Sequence, residues 1–437
     1  MEPPKRQLSL FDLLCLGVNA IVGSGIYAFP GLLAQLLGPG AVLAFAGCGV
    51  VSLLIGLCFA EAAGLFDRSG GPTVYARAAF GPLVGYLVGW TCWAAAVLSW
   101  AAVTRALVPY LAELVPSLRH PALGAIGAAA VTLALGAINY LGVKPGAYAM
   151  ELLTVAKLVP LGVLAALGLV RAERQRLRPF LPHGLRPLPR GIFLVFFAFQ
   201  GFEVVPVPAG ETARPRRYAP IAVLGSLALA TALYMAIQLA ASGTTENLAG
   251  SKEPLALMGR ALLGTVGGQM VSAAAVVSML GFCAGVALAS PRYLEALATD
   301  GHLPTALCAR HPRHGTPHRA ILVTSGVVAL LVLFLDFARL VDLSVLTVGV
   351  QYLATCAAVP MLRKRLPSQP RAFHLPGGAT IPLLATIVLV SLFGLQLTQT
   401  DGGLRIVLSF CGIVALGGIP WLLFRKKPPG GPDAPPR

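Results

Sequence analysis

Apolar stretches bounded by charged residues, proline and glycine recur along the chain at about residues 10–37, 40–66, 81–108, 122–142, 147–170, 191–212, 218–242, 262–290, 318–335, 340–362, 379–399 and 404–424. A helix of about 20 residues crosses the hydrocarbon core of a bilayer, so the pattern predicts an all-α polytopic membrane protein with twelve transmembrane helices. Two runs carry breakers near their middle: Gly23-Ser24-Gly25 in the first, and Gly201 followed by Glu203, Pro206 and Pro208 in the sixth. Non-helical backbone at membrane depth survives only where protein or a watery cavity satisfies its polar groups. The two breaks are five spans apart, which predicts a second five-span unit of inverted topology, and paired broken helices in such repeats point to a transporter's binding site.

The expected organisation is an N-terminal segment 1–9, a first five-helix repeat over 10–170, a second over 191–362, helices 11 and 12 over 379–424, and a tail over 425–437. Composition agrees with a membrane protein. Of the 437 residues 56% are apolar and only 11% charged, against about 25% charged in soluble domains. The formal charge of +16 sits in short clusters between the apolar runs, so the expected electrostatic partner is anionic lipid headgroups and not nucleic acid. Twenty of the 33 Lys and Arg residues fall on the side of the N-terminus, twelve on the other, and Lys157 lies within a span. This bias predicts that both termini are cytoplasmic. The loop from Arg171 to Arg190, with six arginines on the expected outer side, departs from it. Lys5 and Arg6 precede the first run, but Asp12, the length of the run and the lack of an A-x-A site argue against a cleaved signal peptide. The eight cysteines show no metal-ligand spacing and read as small core residues; no metal or cofactor is expected.

The first break predicts a half-helix starting near Ile26, its backbone N–H groups and positive dipole end suited to a carboxylate. Small residues here also serve close helix packing, and the residues alone leave both readings open. Carbonyls freed around Phe197, Ala198 and Gln200 would accept from an ammonium group across the cavity, so that together the breaks complement a zwitterion. Phe197 and Phe199 would cover a bound molecule or simply fill the core. Four ionisable residues, Glu61, Lys157, Glu203 and Glu211, fall within or near spans, where charge is costly and a functional role is the default hypothesis. Glu61 and Glu211, near expected cytoplasmic ends, read first as residues with a structural partner or a helix-end role, and second as gating residues. Glu203 either holds the unwound segment through backbone N–H groups or titrates. Lys157, alone in mid-span, is too deep to snorkel readily to an interface.

Taken in order, Gly23-Ser24-Gly25-Ile26-Tyr27 with Pro30, Phe59-Ala60-Glu61 with Ser69-Gly70-Gly71-Pro72 and Tyr75, Phe197-Ala198-Phe199-Gln200-Gly201-Phe202-Glu203, and Gly210-Glu211 leading to Arg214-Pro215-Arg216-Arg217 resemble the amino acid-polyamine-organocation superfamily of secondary transporters. The loop from Arg292 to Pro304 and the segment from Arg363 to Gly377 extend the match over nearly the whole chain. The resemblance implies a leucine-transporter-like fold, a 5+5 inverted repeat plus two C-terminal helices, with helices 1 and 6 broken and alternating access around them. It implies substrate carboxylate on the Gly23, Ser24 and Gly25 backbone, ammonium on carbonyls near Ile21, Ala198 and Gln200 beside Gly201, and Phe197 as a gate. By the family's register, Ala95, Ala96, Trp100, Val103 and Val286 would line the side-chain pocket. Lys157 matches a lysine that stands in for sodium in some proton-coupled members, which implies coupling to protons and no need for sodium. Gln200 is polar where many relatives are apolar, so its side chain is expected near substrate.

The loop between the third and fourth spans holds no cysteine, which argues against a disulfide-linked heavy-chain subunit, and the short termini suggest a bacterial inner membrane. The expected function is secondary transport of neutral L-amino acids, with an exchanger or a transport-incompetent sensor on the same fold as alternatives. An intramembrane enzyme is not expected, because the seven histidines lie in connecting segments and form no catalytic set.

Overall fold

The computed structural model describes residues 8–66, 71–142, 147–208, 212–369, 371, 373–375, 377–399 and 403–424. Fourteen α-helices follow one another among them: α1 (Leu10–Ile21), α2 (Gly25–Leu37), α3 (Val42–Ala63), α4 (Pro72–Phe80), α5 (Pro82–Leu114), α6 (Pro121–Tyr140), α7 (Ala147–Arg171), α8 (Leu188–Phe199), α9 (Pro215–Thr244), α10 (Pro254–Thr299), α11 (His318–Phe334), α12 (Phe337–Arg365), α13 (Thr380–Gln399) and α14 (Gly403–Phe424). Eight helical stretches are long and apolar enough to cross a membrane, and Leu10–Ile21, His318–Phe334 and Thr380–Leu395 are shorter apolar helices. Each expected run falls on helix for at least part of its length.

Local chemistry sets the boundaries that matter for the site. Ser9 caps α1 reciprocally: its Oγ accepts from Asp12 N at 3.2 Å, and Asp12 Oδ2 accepts from Ser9 N at 2.8 Å, which satisfies two donors that a helix start leaves orphaned. A short parallel bridge pairs Leu8 with Thr212, so the start of α1 and the far end of the second break lie on one side of the bundle. The first break occupies Val22 to Ser24, and α2 resumes at Gly25, one residue earlier than expected. The sixth run differs more from its expectation. Helix α8 stops at Phe199, Gly201 takes φ 121°, and a 3₁₀ turn over Phe202–Val204 leads into further turns. In α10, Gly264 (φ 70°, ψ −164°) joins two helices, and the second continues to Thr299. Most of the expected loop after Arg292 is therefore helix.

Helix α9 packs against α1, α3 and α7, with close approaches at glycine. A Cβ on Gly17 would sit 2.7 Å from Ser226 Oγ, and one on Gly56 would sit 2.6 Å from Leu227 Cδ1. Where lipid supplies no hydrophobic driving force, close approach through small residues is how helices associate. The reverse surface is apolar and exposed, as at Val170, Leu404 and Leu422.

Ion pairs bind the helix ends. On the side where α1 begins, Glu61 (1% exposed) receives Arg363 Nε at 2.7 Å and Nη2 at 2.5 Å, with Leu375 N at 2.9 Å. Arg77 pairs there with Asp300 at 3.2 Å. On the opposite side, Arg260 and Arg119 converge on Glu113, Arg176 on Glu173 and Glu246, and Arg190 on Asp342 at 3.1 Å. Two arginines of the loop that departs from the charge bias, Arg176 and Arg190, are thus neutralised by acidic partners. Glu61 has a structural partner, whereas Glu211 lies outside the described residues. Removing one member of a buried pair strands the other charge, at a cost of about 3–5 kcal/mol. Glu61→Gln and Arg363→Met should each lower the melting temperature in detergent, and the double variant should lose less than the sum of the two; additive losses in this cycle would mean that the pair is not coupled.

Candidate functional site

The two interruptions lie against each other. A Cβ on Gly25 would overlap the Cβ and Cα of Ala198, and a Cβ on Gly201 would come within 2.5 Å of the Ala20 carbonyl. Gly25 is therefore fixed by contact with α8, so both readings of the first break, packing and ligand approach, meet at this one position. Interruption leaves donors on one side and acceptors on the other. The N–H groups of Ser24, Gly25 and Ile26 have no partner among the described residues, and Ser24 gives no side-chain cap to α2. Ser24 Oγ is buried and unpartnered as well.

The freed carbonyls are tied by side chains from other helices. Lys157, on α7 and 5% exposed, donates from Nζ to Val22 O at 3.0 Å and to Asn19 O at 3.3 Å. Tyr234 Oη, on α9, lies 2.9 Å from Ile21 O and 3.1 Å from Ala198 O, so one hydroxyl bridges both breaks. Its single proton serves one of them at a time. Glu203 Oε2 accepts from Gly201 N and from Tyr352 Oη on α12, each at 2.8 Å. These two contacts link the unwound segment to α12.

Between the breaks lies a cavity of about 320 Å³. Ile21, Gly23, Ser24, Gly25, Phe197, Ala198, Gln200 and Gly201 all line it, as do Ala95, Ala96 and Val103 of α5 and Val286 of α10. Trp100 does not line it; that side chain is fully buried behind the wall. Ser99, one residue before it, faces the cavity instead. Sequence reasoning missed Ser99, Phe282, Cys92 and Gln351. The last two are joined by a 3.0 Å hydrogen bond from the thiol to the amide oxygen. Phe282 stands 3.3 Å from where a Cβ on Gly23 would project, a contact that only the folded structure shows. The polar pair had no signal in the sequence either, since nothing in local spacing brings α5 to α12.

Gln200 is 8% exposed, and its Oε1 receives Ser99 Oγ at 3.1 Å and Ser344 Oγ at 3.0 Å. Its Nε2 is buried without a partner. On the side away from the start of α1, the rings of Phe29, Phe197 and Phe337 meet with centroids 5.9–6.2 Å apart. Cavity-lining Glu203, Ala289, Tyr293 and Gln351 extend it toward the other side. Free donors at one break, carbonyls at the other and an aromatic seal above can hold a small zwitterion.

An amino acid permease family model matches residues 8–416. The chain belongs to that family, within the amino acid-polyamine-organocation superfamily, and is a multi-pass membrane transporter, not an enzyme. It is 28% identical to the branched-chain amino acid permease BcaP of Bacillus subtilis, over 97% of this chain and 94% of that protein. It is also 28% identical to the serine/threonine exchanger SteT of Bacillus subtilis, over 97% of both chains. Similarity reaches the human cationic amino acid transporter 4, at 28% identity over 86% of this chain and 62% of that protein.

The tight fit at the second break gives a direct test. Gly201→Ala puts a Cβ on a left-handed residue and against the Ala20 carbonyl. It should abolish the monodisperse peak in detergent chromatography, whereas Gly281→Ala, which meets nothing within 4 Å, should leave it unchanged. A normal Gly201→Ala profile would mean that the breaks do not interlock.

Proposed function

We propose that this protein is a proton-coupled, sodium-independent secondary transporter of neutral L-amino acids, working by alternating access in a bacterial inner membrane with both termini cytoplasmic. The observation that carries the reading is the pairing of N–H groups at Ser24, Gly25 and Ile26, unpartnered among the described residues, with the Ile21 and Ala198 carbonyls that share the one Tyr234 hydroxyl, across a cavity whose side-chain wall includes Ala95, Ala96, Val103 and Val286. An α-amino acid carries the two complementary charges at the matching end, and carboxylate at a half-helix N-terminus is stabilised by the dipole.

Twelve crossings in two inverted repeats suit this arrangement. In each proposed repeat a side chain of the fifth span ties the break of the first: Lys157 of α7 on Asn19 and Val22, and Tyr352 of α12 through Glu203 on Gly201. Lys157 donates to two carbonyls at the first break, as a bound cation would attract them, which supports proton coupling in place of sodium. Protonated, it holds the carbonyls of the first break; neutral, it has fewer donors and loosens the link, so proton binding and helix position are coupled. The aromatic seal over one side suits a conformation open toward the cytoplasm, with Phe197 as part of the outer gate. The similarity to an exchanger keeps obligatory exchange as the variant to be tested.

A second reading has a specific observation behind it. Glu203 is among the residues that line the cavity, which would suit a cationic side chain, as would the likeness to a cationic amino acid transporter. The neutral reading is favoured because Glu203 already accepts from Gly201 N and Tyr352 Oη.

In proteoliposomes, an inward proton gradient should drive concentrative uptake of alanine, leucine or threonine whether or not sodium is present, and Lys157→Ala should abolish that uptake. Concentration by the alanine variant, or a need for sodium, would refute the coupling. Amino acid amides and decarboxylated amines should compete at least tenfold more weakly than the parent amino acids, because they lack the carboxylate. Equal competition would remove the carboxylate site, and stronger exchange of arginine than of the neutral substrates would select the cationic reading.

A further inference from the structure

We infer that Gln200 makes this transporter selective for amino acids whose side chain offers a hydrogen-bond acceptor, a hydroxyl or ether oxygen, over aliphatic side chains of the same shape. The inference rests on the amino acid transport proposed above and deepens it. Gln200 follows the last residue of α8, at the interruption of that helix, and is part of the cavity wall. Two serines hold it there: Ser99 from α5 and Ser344 from α12, their hydroxyls 2.9 Å apart and each about 3 Å from Oε1. The two hydroxyl protons can make two of these three contacts hydrogen bonds at a time, and Oε1 accepts at least one of them in each such arrangement. The amide oxygen is occupied, the side chain is fixed from two helices, and both N–H groups of Nε2 are left without a partner among the described residues.

The position of the amide indicates the part of the substrate it meets. The carboxylate has its own donors at Ser24, Gly25 and Ile26. An ammonium group has only hydrogens to offer and cannot accept from an amide N–H. Ser99, which anchors the amide, is flanked on α5 by Ala95, Ala96 and Val103, the apolar wall on which a substrate side chain would rest. An aliphatic side chain there would exclude water and leave the buried N–H groups unpaired, a penalty comparable to that of any orphaned donor. A hydroxyl or ether oxygen would accept from them while its carbon atoms lie on the alanines and valine. Sites that require a hydrogen bond discriminate more strongly against the analogue that lacks it than apolar pockets do against an extra hydroxyl.

Threonine and valine differ by a hydroxyl in place of a methyl, and O-methylserine and norvaline by an ether oxygen in place of a methylene. Counterflow of each pair should be measured in the same proteoliposomes, so that the ratio is independent of the amount of active protein. In the parent protein, threonine should exceed valine and O-methylserine should exceed norvaline, each about tenfold or more. Gln200→Met, which keeps the length but removes the donors, should bring both ratios near one, and Ser99→Ala should reduce them part of the way. Parent ratios near one, or ratios preserved in Gln200→Met, would overturn the inference; the first needs no variant to fold. A preference for threonine without one for O-methylserine would also overturn it, because the amide would then be accepting. Absence of counterflow with every amino acid would instead overturn the transport reading beneath it.

Discussion

Backbone polar groups released inside a membrane have no water to turn to, and this constraint organises the rest of the molecule. Each interrupted helix exposes several N–H and C=O groups, and leaving them unsatisfied in hydrocarbon costs several kcal/mol apiece. The fold meets that demand from its own side chains: Lys157 and Tyr234 donate to freed carbonyls, and Glu203 accepts from the Gly201 N–H. On the donor side it leaves Ser24, Gly25 and Ile26 open. The imbalance gives the cavity its polarity: a positive helix end facing carbonyls that already share their donors. Glycine at 25 and 201 lets the two interruptions touch, so neither can move without the other responding.

The same contacts connect structure to movement. Tyr234 spans both breaks with one hydroxyl, and Glu203 links the second break to α12 through Tyr352. Helices α5 and α12 meet at Gln200 through Ser99 and Ser344. Of the ion pairs at the bundle ends, Glu61 with Arg363 joins helices of the two proposed repeats, and Arg190 with Asp342 joins α8 to α12 within the second. Rocking of one repeat against the other would therefore have to exchange salt bridges at one end while the aromatic seal of Phe29, Phe197 and Phe337 opens at the other.

Much of this was legible in the sequence, because a membrane reduces the question to where apolar runs stop. The breaks at Gly23-Ser24-Gly25 and after Gln200 were readable from breakers in runs otherwise apolar, and Lys157 stood out as the lone charge in mid-span. What the sequence did not disclose depends on which helices become neighbours. Trp100 and Ser99 are adjacent in the chain, and the register alone pointed to the wrong one for the cavity wall, since a one-residue change turns a side chain by about 100° around a helix. The anchoring of Gln200 by two serines more than 100 residues away on either side is a property of tertiary packing with no local signal. The early start of α2 and the helical continuation past Arg292 were hidden for another reason: backbone hydrogen bonding, not hydropathy, decides where a helix ends.

The central claim is that the paired interruptions form the amino acid site, with donors on one half-helix and acceptors on the other. It is tested most directly by an experimental structure determined with a transported amino acid bound. The account predicts ligand density between the N-terminus of α2 and the C-terminus of α8, with carboxylate oxygens within hydrogen-bond distance of the Ser24, Gly25 or Ile26 N–H groups. Density that lies elsewhere, for example in the crevice between α7 and α10 beside Lys157, with no ligand at the breaks, would contradict it.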